Sequence, residues 1–231
     1  MIRKAIDGCG RKIVLSTSPG ETPIASAPHV QQHANMWRTV DDFWDNWPML
    51  KDHFDVFERW NPYRVAGGWP DGDMLPLGHI GIRAERGDPR MAAFTKDEHY
   101  TLMTLWTMFR SPLMFGGHLP DNDAFTLSLL TNNEVLAILK SSANNKQLFK
   151  KDNAVCWVAD DPKTGDKYVA LFNASDETGA KPISVSLKDL GLSGTHKVRD
   201  LWKKADVGSV TGTFTKNINK HGAGLYRISS K

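Results

Sequence analysis

Trp37-Arg38-Thr39-Val40-Asp41-Asp42 and, further along, Gly67-Gly68-Trp69-Pro70-Asp71-Gly72-Asp73-Met74-Leu75 are the two stretches on which the reading of this chain turns. Each ends a short extended run with aromatic rings and carboxylates, and the first adds an arginine. Rings stack on pyranose faces, carboxylates bind hydroxyls or transfer protons, and an arginine fixes a hydroxyl or a carboxylate. Together they imply a sugar pocket built at the ends of neighbouring strands.

Around these stretches the first 140 residues alternate extended runs, loops and helices. Met1 to Asp7 reads as the last turns of an amphipathic helix, ended by Gly8-Cys9-Gly10. Lys12–Ser16 and His33–Arg38 read as extended runs, with loop chemistry at Ser18-Pro19-Gly20. Trp47, Leu50, Phe54 and Phe57 recur at helical spacing, predicting a helix over Asp45–Glu58. Arg64–Gly68 reads as a weak strand. Thr95-Lys96-Asp97-Glu98 is a capping box, followed by Leu102, Leu105, Trp106 and Phe109 on one face, with Ser111-Pro112 as the stop. Leu113–Gly117 is expected as a strand and Asp123–Leu139 as one final helix. Alternation of this kind implies parallel strands with crossover helices, and chemistry after the strands is the habit of a (β/α)₈ barrel.

From Ser141 the texture changes. Ala154–Ala159, Lys167–Asn173, Ile183–Leu187, Lys197–Trp202 and Gly224–Ser229 are short runs of β-branched and aromatic residues separated by turns. Net charge changes too, from −3 up to Lys140 to +6 beyond it. The expected organisation is therefore α/β plus all-β: a partial barrel over residues 1–140 and an antiparallel β-sandwich over 141–231.

Composition narrows the function classes. Of 231 residues, 40% are hydrophobic and 24% charged, and the net charge of +3 is too small to argue for a nucleic-acid partner. No apolar run is long enough to span a membrane. Cys9 and Cys156 form neither a disulfide framework nor a CxxC metal signature. His29 and His33 stand one helical turn apart without a third ligand at suitable spacing, so no metal site is expected. No cofactor is implied, because proton transfer by carboxylates needs none.

Taken together, the two motifs resemble glycoside hydrolase family 27, the melibiase-type α-galactosidases. In that family Trp-Arg is followed, after three variable residues, by the acid/base Asp, and Gly-Gly-Trp-Asn-Asp-Pro-Asp-Met-Leu comes later. Here Asp42 stands at the matching step after Arg38. The second motif matches except at Pro70 and Gly72, a change of turn chemistry. The resemblance implies that Asp42 is the general acid/base rather than its neighbour Asp41. It also implies that Arg38 binds a hydroxyl nearby, and that Asp73 and Met74 line the pocket. Trp37 and Trp69 are candidate stacking rings, whereas Trp44, Trp47 and Trp60 are expected in the core. Ser18 falls where galactose-specific members carry a glutamate and members accepting N-acetylgalactosamine a serine. The implied substrate is an α-galactoside, with an α-N-acetylgalactosaminide or another axial-4-hydroxyl sugar as alternatives. A non-catalytic carbohydrate-binding role is the alternative of another class.

The resemblance has one further implication. The family's nucleophile is an aspartate at the end of the fourth barrel strand, and the first strand legible here corresponds to the fifth. The chain is thus expected to be the C-terminal portion of a longer enzyme and inactive alone. Such a half-barrel has open edges that favour homo-oligomers. The chain itself carries no reading of location; a periplasmic or secreted protein is the expectation by resemblance.

Overall fold

The computed structural model describes residues 1–84 and 87–230. In chain order the elements are α1 (Ile2–Gly8), β1 (Ser16–Thr17), α2 (Ala27–His33), β2 (Met36–Arg38), α3 (Trp47–Trp60), β3 (Trp69–Asp71), β4 (His79–Ile80), β5 (Arg90–Met91), α4 (Lys96–Phe109), α5 (Ala124–Leu130) and α6 (Asn133–Ser141). Then follow β6 (Ala143–Lys151), β7 (Ala154–Asp160), β8 (Lys167–Asn173), β9 (Lys181–Ser186), β10 (Thr195–Asp200), β11 (Ala205–Thr211), β12 (Thr213–Ile218) and β13 (Ala223–Ile228).

β1, β2 and β3 pair in parallel, with Ser16 beside Met36, Met36 beside Trp69, and Arg38 beside Asp71. A single parallel bridge from Leu75 to Phe115 adds the next segment. This is the strand set of a partial (β/α)₈ barrel. The expected strands are shortened. Lys12–Ser16 contributes only its last residue to β1, and His33 belongs to α2. Arg64–Gly68 makes one bridge, Val65 to Gly68, while the pairing strand starts at Trp69. Leu113–Gly117 forms no strand: its pairing with Leu75 is the single bridge, in which the Leu75 amide donates to the Met114 carbonyl and the Gly116 amide to the Leu75 carbonyl.

The capping box forms as read: the Glu98 amide donates to Thr95 Oγ1 and the Thr95 amide to Glu98 Oε2. α4 closes at Arg110, which sits in the left-handed region at φ 61°. The Arg110 guanidinium donates to the Leu139, Lys140 and Ser142 carbonyls and so joins the ends of α4 and α6. The single helix expected over Asp123–Leu139 is two, because Asn132 caps α6 from within it: its Oδ1 accepts from the Glu134 amide.

The second region is a six-stranded antiparallel sheet, ordered β11-β10-β13-β8-β7-β6, facing the β12-β9 pair. Three of its strands, β6, β11 and β12, escape the sequence reading. β6 opens Ala-Asn-Asn-Lys-Gln, and β11 buries no residue, so neither carries the alternation that marks a strand. Partner pairing rather than propensity makes them strands.

The centre of the large sheet, β7, β8 and β13, is buried on both faces. One face meets β9 and β12 through Cys156, Val169, Leu171, Ile183 and Phe214. The other, with Trp157, Ala170, Phe172 and Leu225, shares one apolar cluster with Phe54 of α3 and with Leu105 and Phe109 of α4. α4 is accordingly buried all round from Thr101 to Phe109, where the sequence showed a one-sided stripe. The two regions are joined by a common core. By contrast, α1 buries no residue, and Ile2, Ile13 and Val14 are exposed.

Candidate active site

β2 and β3 each present alternate side chains to opposite faces. Their register puts Arg38 and Asp71 on one face and Trp37 and Pro70 on the other. The polar groups gather at the C-terminal ends of the three strands. Arg38, 7% exposed, is the centre. Its guanidinium donates to Ser18 Oγ at 3.1 Å and to Asp42 Oδ1 at 3.1 Å, and it lies 3.1 Å from Asp73 Oδ1. Its Nε donates to the Val40 carbonyl, which fixes the plane of the fork. One arginine therefore draws together Ser18 after β1, Asp42 after β2 and Asp73 after β3. The Asp42 side chain is 67% exposed and open to an approaching ligand.

Asp41 and Asp42 are separated in role by direction. Asp41 Oδ1 accepts the Glu21 amide at 3.1 Å and so pins the Pro19–Glu21 loop. A Cβ on Gly20 would stand 2.7 Å from that oxygen, and Gly20 has φ 95°, so the loop needs glycine twice over.

Asp73 sits at φ 79°, a strained conformation for a side-chain-bearing residue. Four contacts hold it there. Its amide donates to Asp71 Oδ1, its Oδ2 accepts the Phe43 amide at 2.8 Å, its carbonyl accepts Trp106 Nε1, and its Oδ1 meets Arg38. Strain sustained by surroundings of this kind is a mark of functional positions. Gly72 makes the turn feasible, because a Cβ there would collide with the Phe57 ring. Met74, half-buried, packs on Gly116, whose absent Cβ would lie 2.5 Å from its Sδ.

Asp71 escaped the sequence reading as a site group. It is 6% exposed, and burial pushes its carboxyl up to about 6, with the Asp73 charge adding to the rise. The Asp73 amide and Arg38 oppose that rise. No local pattern marked it: the property comes from depth, and Asp73, at φ 79°, stands outside the alternation of β3.

The two candidate stacking rings are not at this cluster. Trp37 is fully buried, packed beside Trp60 with centroids 6.2 Å apart, so its face is closed to a sugar. Its position between Met36 and Arg38 sends it to the helix side of the sheet. Trp69 is half-buried at the beginning of β3, the opposite end from Asp73, and lines an apolar cavity with Val14, Met36 and Pro112. Of the other tryptophans, Trp60 is in the core, whereas Trp47 stacks on His221 of the sandwich at 3.8 Å.

Among the described residues, one group could hold a metal ion, and it is not the His29–His33 pair: it is His79, His118 and Asp121. No helix there is long and apolar enough to cross a membrane.

Residues 1–141 match the family model described as alpha galactosidase A, and residues 151–228 match the alpha galactosidase C-terminal beta sandwich domain. The chain is similar to the crystal structure of a β-L-arabinopyranosidase of glycoside hydrolase family 27 from Geobacillus stearothermophilus, at 50% identity and TM-score 0.94. That match covers 99% of this chain and 52% of the other. A second structure of that enzyme, a variant in complex with arabinose, matches at 49% identity and TM-score 0.95, over 100% of this chain and 53% of the other. Alpha-galactosidase 3 of Arabidopsis thaliana is 30% identical over 99% of this chain and 50% of its own length. The chain spans about half the length of the curated relatives it matches.

Proposed function

The chain belongs to glycoside hydrolase family 27, and on that premise we propose that it is the acid/base-bearing, C-terminal portion of a retaining glycosidase. The observation that carries the proposal is the Arg38 fork, which holds an accessible carboxylate, Asp42, against Asp73 and Ser18. Asp42 donates its proton to the departing glycosidic oxygen and, as the carboxylate, then takes a proton from the attacking water. Arg38 orients Asp42 and Asp73, and Asp73 and Met74 form the pocket wall. The covalent nucleophile of the intact enzyme lies in the part of the family's chain that these residues do not span. The 231 residues alone therefore turn over no glycoside.

The substrate is a terminal pyranoside of galacto configuration, a β-L-arabinopyranoside first. The 50% identity to a β-L-arabinopyranosidase supports this sugar, against 30% to an α-galactosidase. β-L-arabinopyranose is the α-D-galactopyranose ring without its hydroxymethyl group, so one polar fork suits both. An α-galactoside is thus the second reading. Ser18, short and hydrogen-bonded to Arg38, leaves room for an acetamido group and supports trying an α-N-acetylgalactosaminide as well.

The test uses the longest reading frame that contains this chain, assayed on the aryl β-L-arabinopyranoside, α-D-galactoside and α-N-acetylgalactosaminide. We expect the first to be preferred. Asp42→Asn should lower kcat about 10²–10⁴-fold on all three, while Asp41→Asn retains most activity. Full activity in Asp42→Asn would refute the acid/base assignment, and turnover by the 231-residue chain alone would refute the placement of the nucleophile.

A further inference from the structure

His79, His118 and Asp121 lie outside the Arg38 cluster and take no part in the proposed reaction. His79 begins β4. His118 precedes, and Asp121 ends, a single 3₁₀ turn at Leu119–Asp121. Asp121 Oδ2 is approached by both imidazoles, at 2.9 Å from His79 Nδ1 and 2.7 Å from His118 Nδ1. Potential ligand atoms of all three lie within 4.8 Å of one another. The main chain holds the two segments together without help from these side chains. The His118 amide donates to the His79 carbonyl at 2.7 Å, and the Asp121 amide to the His118 carbonyl at 3.2 Å. The side chains are 29%, 38% and 48% exposed, which leaves an entry path and room for water.

We propose that His79, His118 and Asp121 form a binding site for a divalent transition-metal ion of the zinc class. Two imidazoles and one carboxylate are the donor set such ions prefer, whereas calcium and magnesium take mainly oxygen. A tetrahedral ion with bonds of about 2.0–2.2 Å separates its ligands by roughly 3.3–3.5 Å. The two nitrogen–oxygen distances, 2.9 and 2.7 Å, need to open by about 0.4–0.8 Å for the ion to replace the shared hydrogen bonds. Water completes the shell. The ion's consequence is mechanical. It staples the segment after Asp73 to the segment after Phe115, the same two that meet where Leu75 donates to Met114 and Gly116 donates to Leu75. Met74 rests on Gly116 at that seam, so the ion braces the wall behind the Arg38 cluster.

The test is Zn²⁺ titration by calorimetry into the chelator-treated intact protein, the longest reading frame that contains this chain. Melting temperature with and without Zn²⁺, and the visible spectrum with Co²⁺, are read in parallel. The parent should bind one more Zn²⁺ than the His79→Gln/His118→Gln double variant. It should also show a Zn²⁺-dependent rise in melting temperature and Co²⁺ bands of a nitrogen–oxygen site. Asp121→Asn should weaken the binding tenfold or more, and it keeps the side-chain shape, so a fall through misfolding is separable by its unchanged melt in chelator. His29→Gln/His33→Gln should change nothing. Equal Zn²⁺ stoichiometry and equal stabilisation in the parent and the double variant would overturn the proposal, as would loss of the extra ion in the His29/His33 variant.

Discussion

β1, β2 and β3 pair over two or three residues each, and beyond their C-terminal ends stand Ser18, Asp42 and Asp73, tied through Arg38. β7, β8 and β13 pair over six or seven residues each, and both faces of their sheet are buried. The short parallel strands thus act as pedestals whose value lies in where they end. The long antiparallel strands act as a wall whose value lies in what they cover. The first is sensitive to direction and charge, the second to volume.

That contrast can be broken most forcefully at the wall. Phe172 of β8 is fully buried and meets Phe54 of α3 edge-on at 5.2 Å. Phe172→Ala should cost about 3–5 kcal/mol. Because the core is shared, both regions should unfold in one transition followed by urea denaturation. Two separated transitions would show instead that the regions are independent.

At the pedestals the large effect is electrostatic. The Asp71 carboxyl is raised from 3.8 to about 6 by burial. Between those values the folded chain holds a proton that the unfolded chain has released. This contribution is therefore fully present below pH 4 and is lost as pH rises to about 6. Asp71→Asn should gain on the order of 2–3 kcal/mol at pH 7 and nothing at pH 4. Urea melts at several pH values check this, and a variant whose pH profile matches the parent's would remove Asp71 as the cause.

Gly72 tests the same region sterically. Gly72→Ala drives a methyl toward Phe57 and Trp106 and should cost about 1–3 kcal/mol, measurable as a lowered urea midpoint. Smaller still is Asp41→Ala. It removes one hydrogen bond to the Glu21 amide and should cost about 1 kcal/mol, with activity loss far below that of Asp42→Asn. If the two aspartate variants lose activity equally, the division of roles between them fails.

The pedestals were the more legible part. The resemblance of their motifs grouped Arg38, Asp42 and Asp73, which the structure draws together, and the capping box announced the start of α4 at Lys96. Trp37 and Trp69 misled because a motif states neighbourhood along the chain, not the face of the sheet. Trp37 falls on the helix side, and Trp69 two residues before Asp71 at the wrong end. Asp71 was hidden for the same reason: its role comes from depth, which no local pattern encodes. In the wall, β7, β8 and β13 were visible as short runs of β-branched and aromatic residues, whereas β6 and β11 became strands only through their partners.

The sequence alone carried the family, through the resemblance of two motifs, and the order of parallel and antiparallel regions together with the residue types of the candidate site. The order of regions and the residue types follow from side-chain chemistry and periodicity, which are local. The tertiary structure decided which aspartate meets Arg38 and which ties a loop, which tryptophan is core, and that one apolar core serves both regions. It also brought His79 to His118 and Asp121. These are questions of direction and depth, and they are answered only when distant segments pack and exclude water from one another.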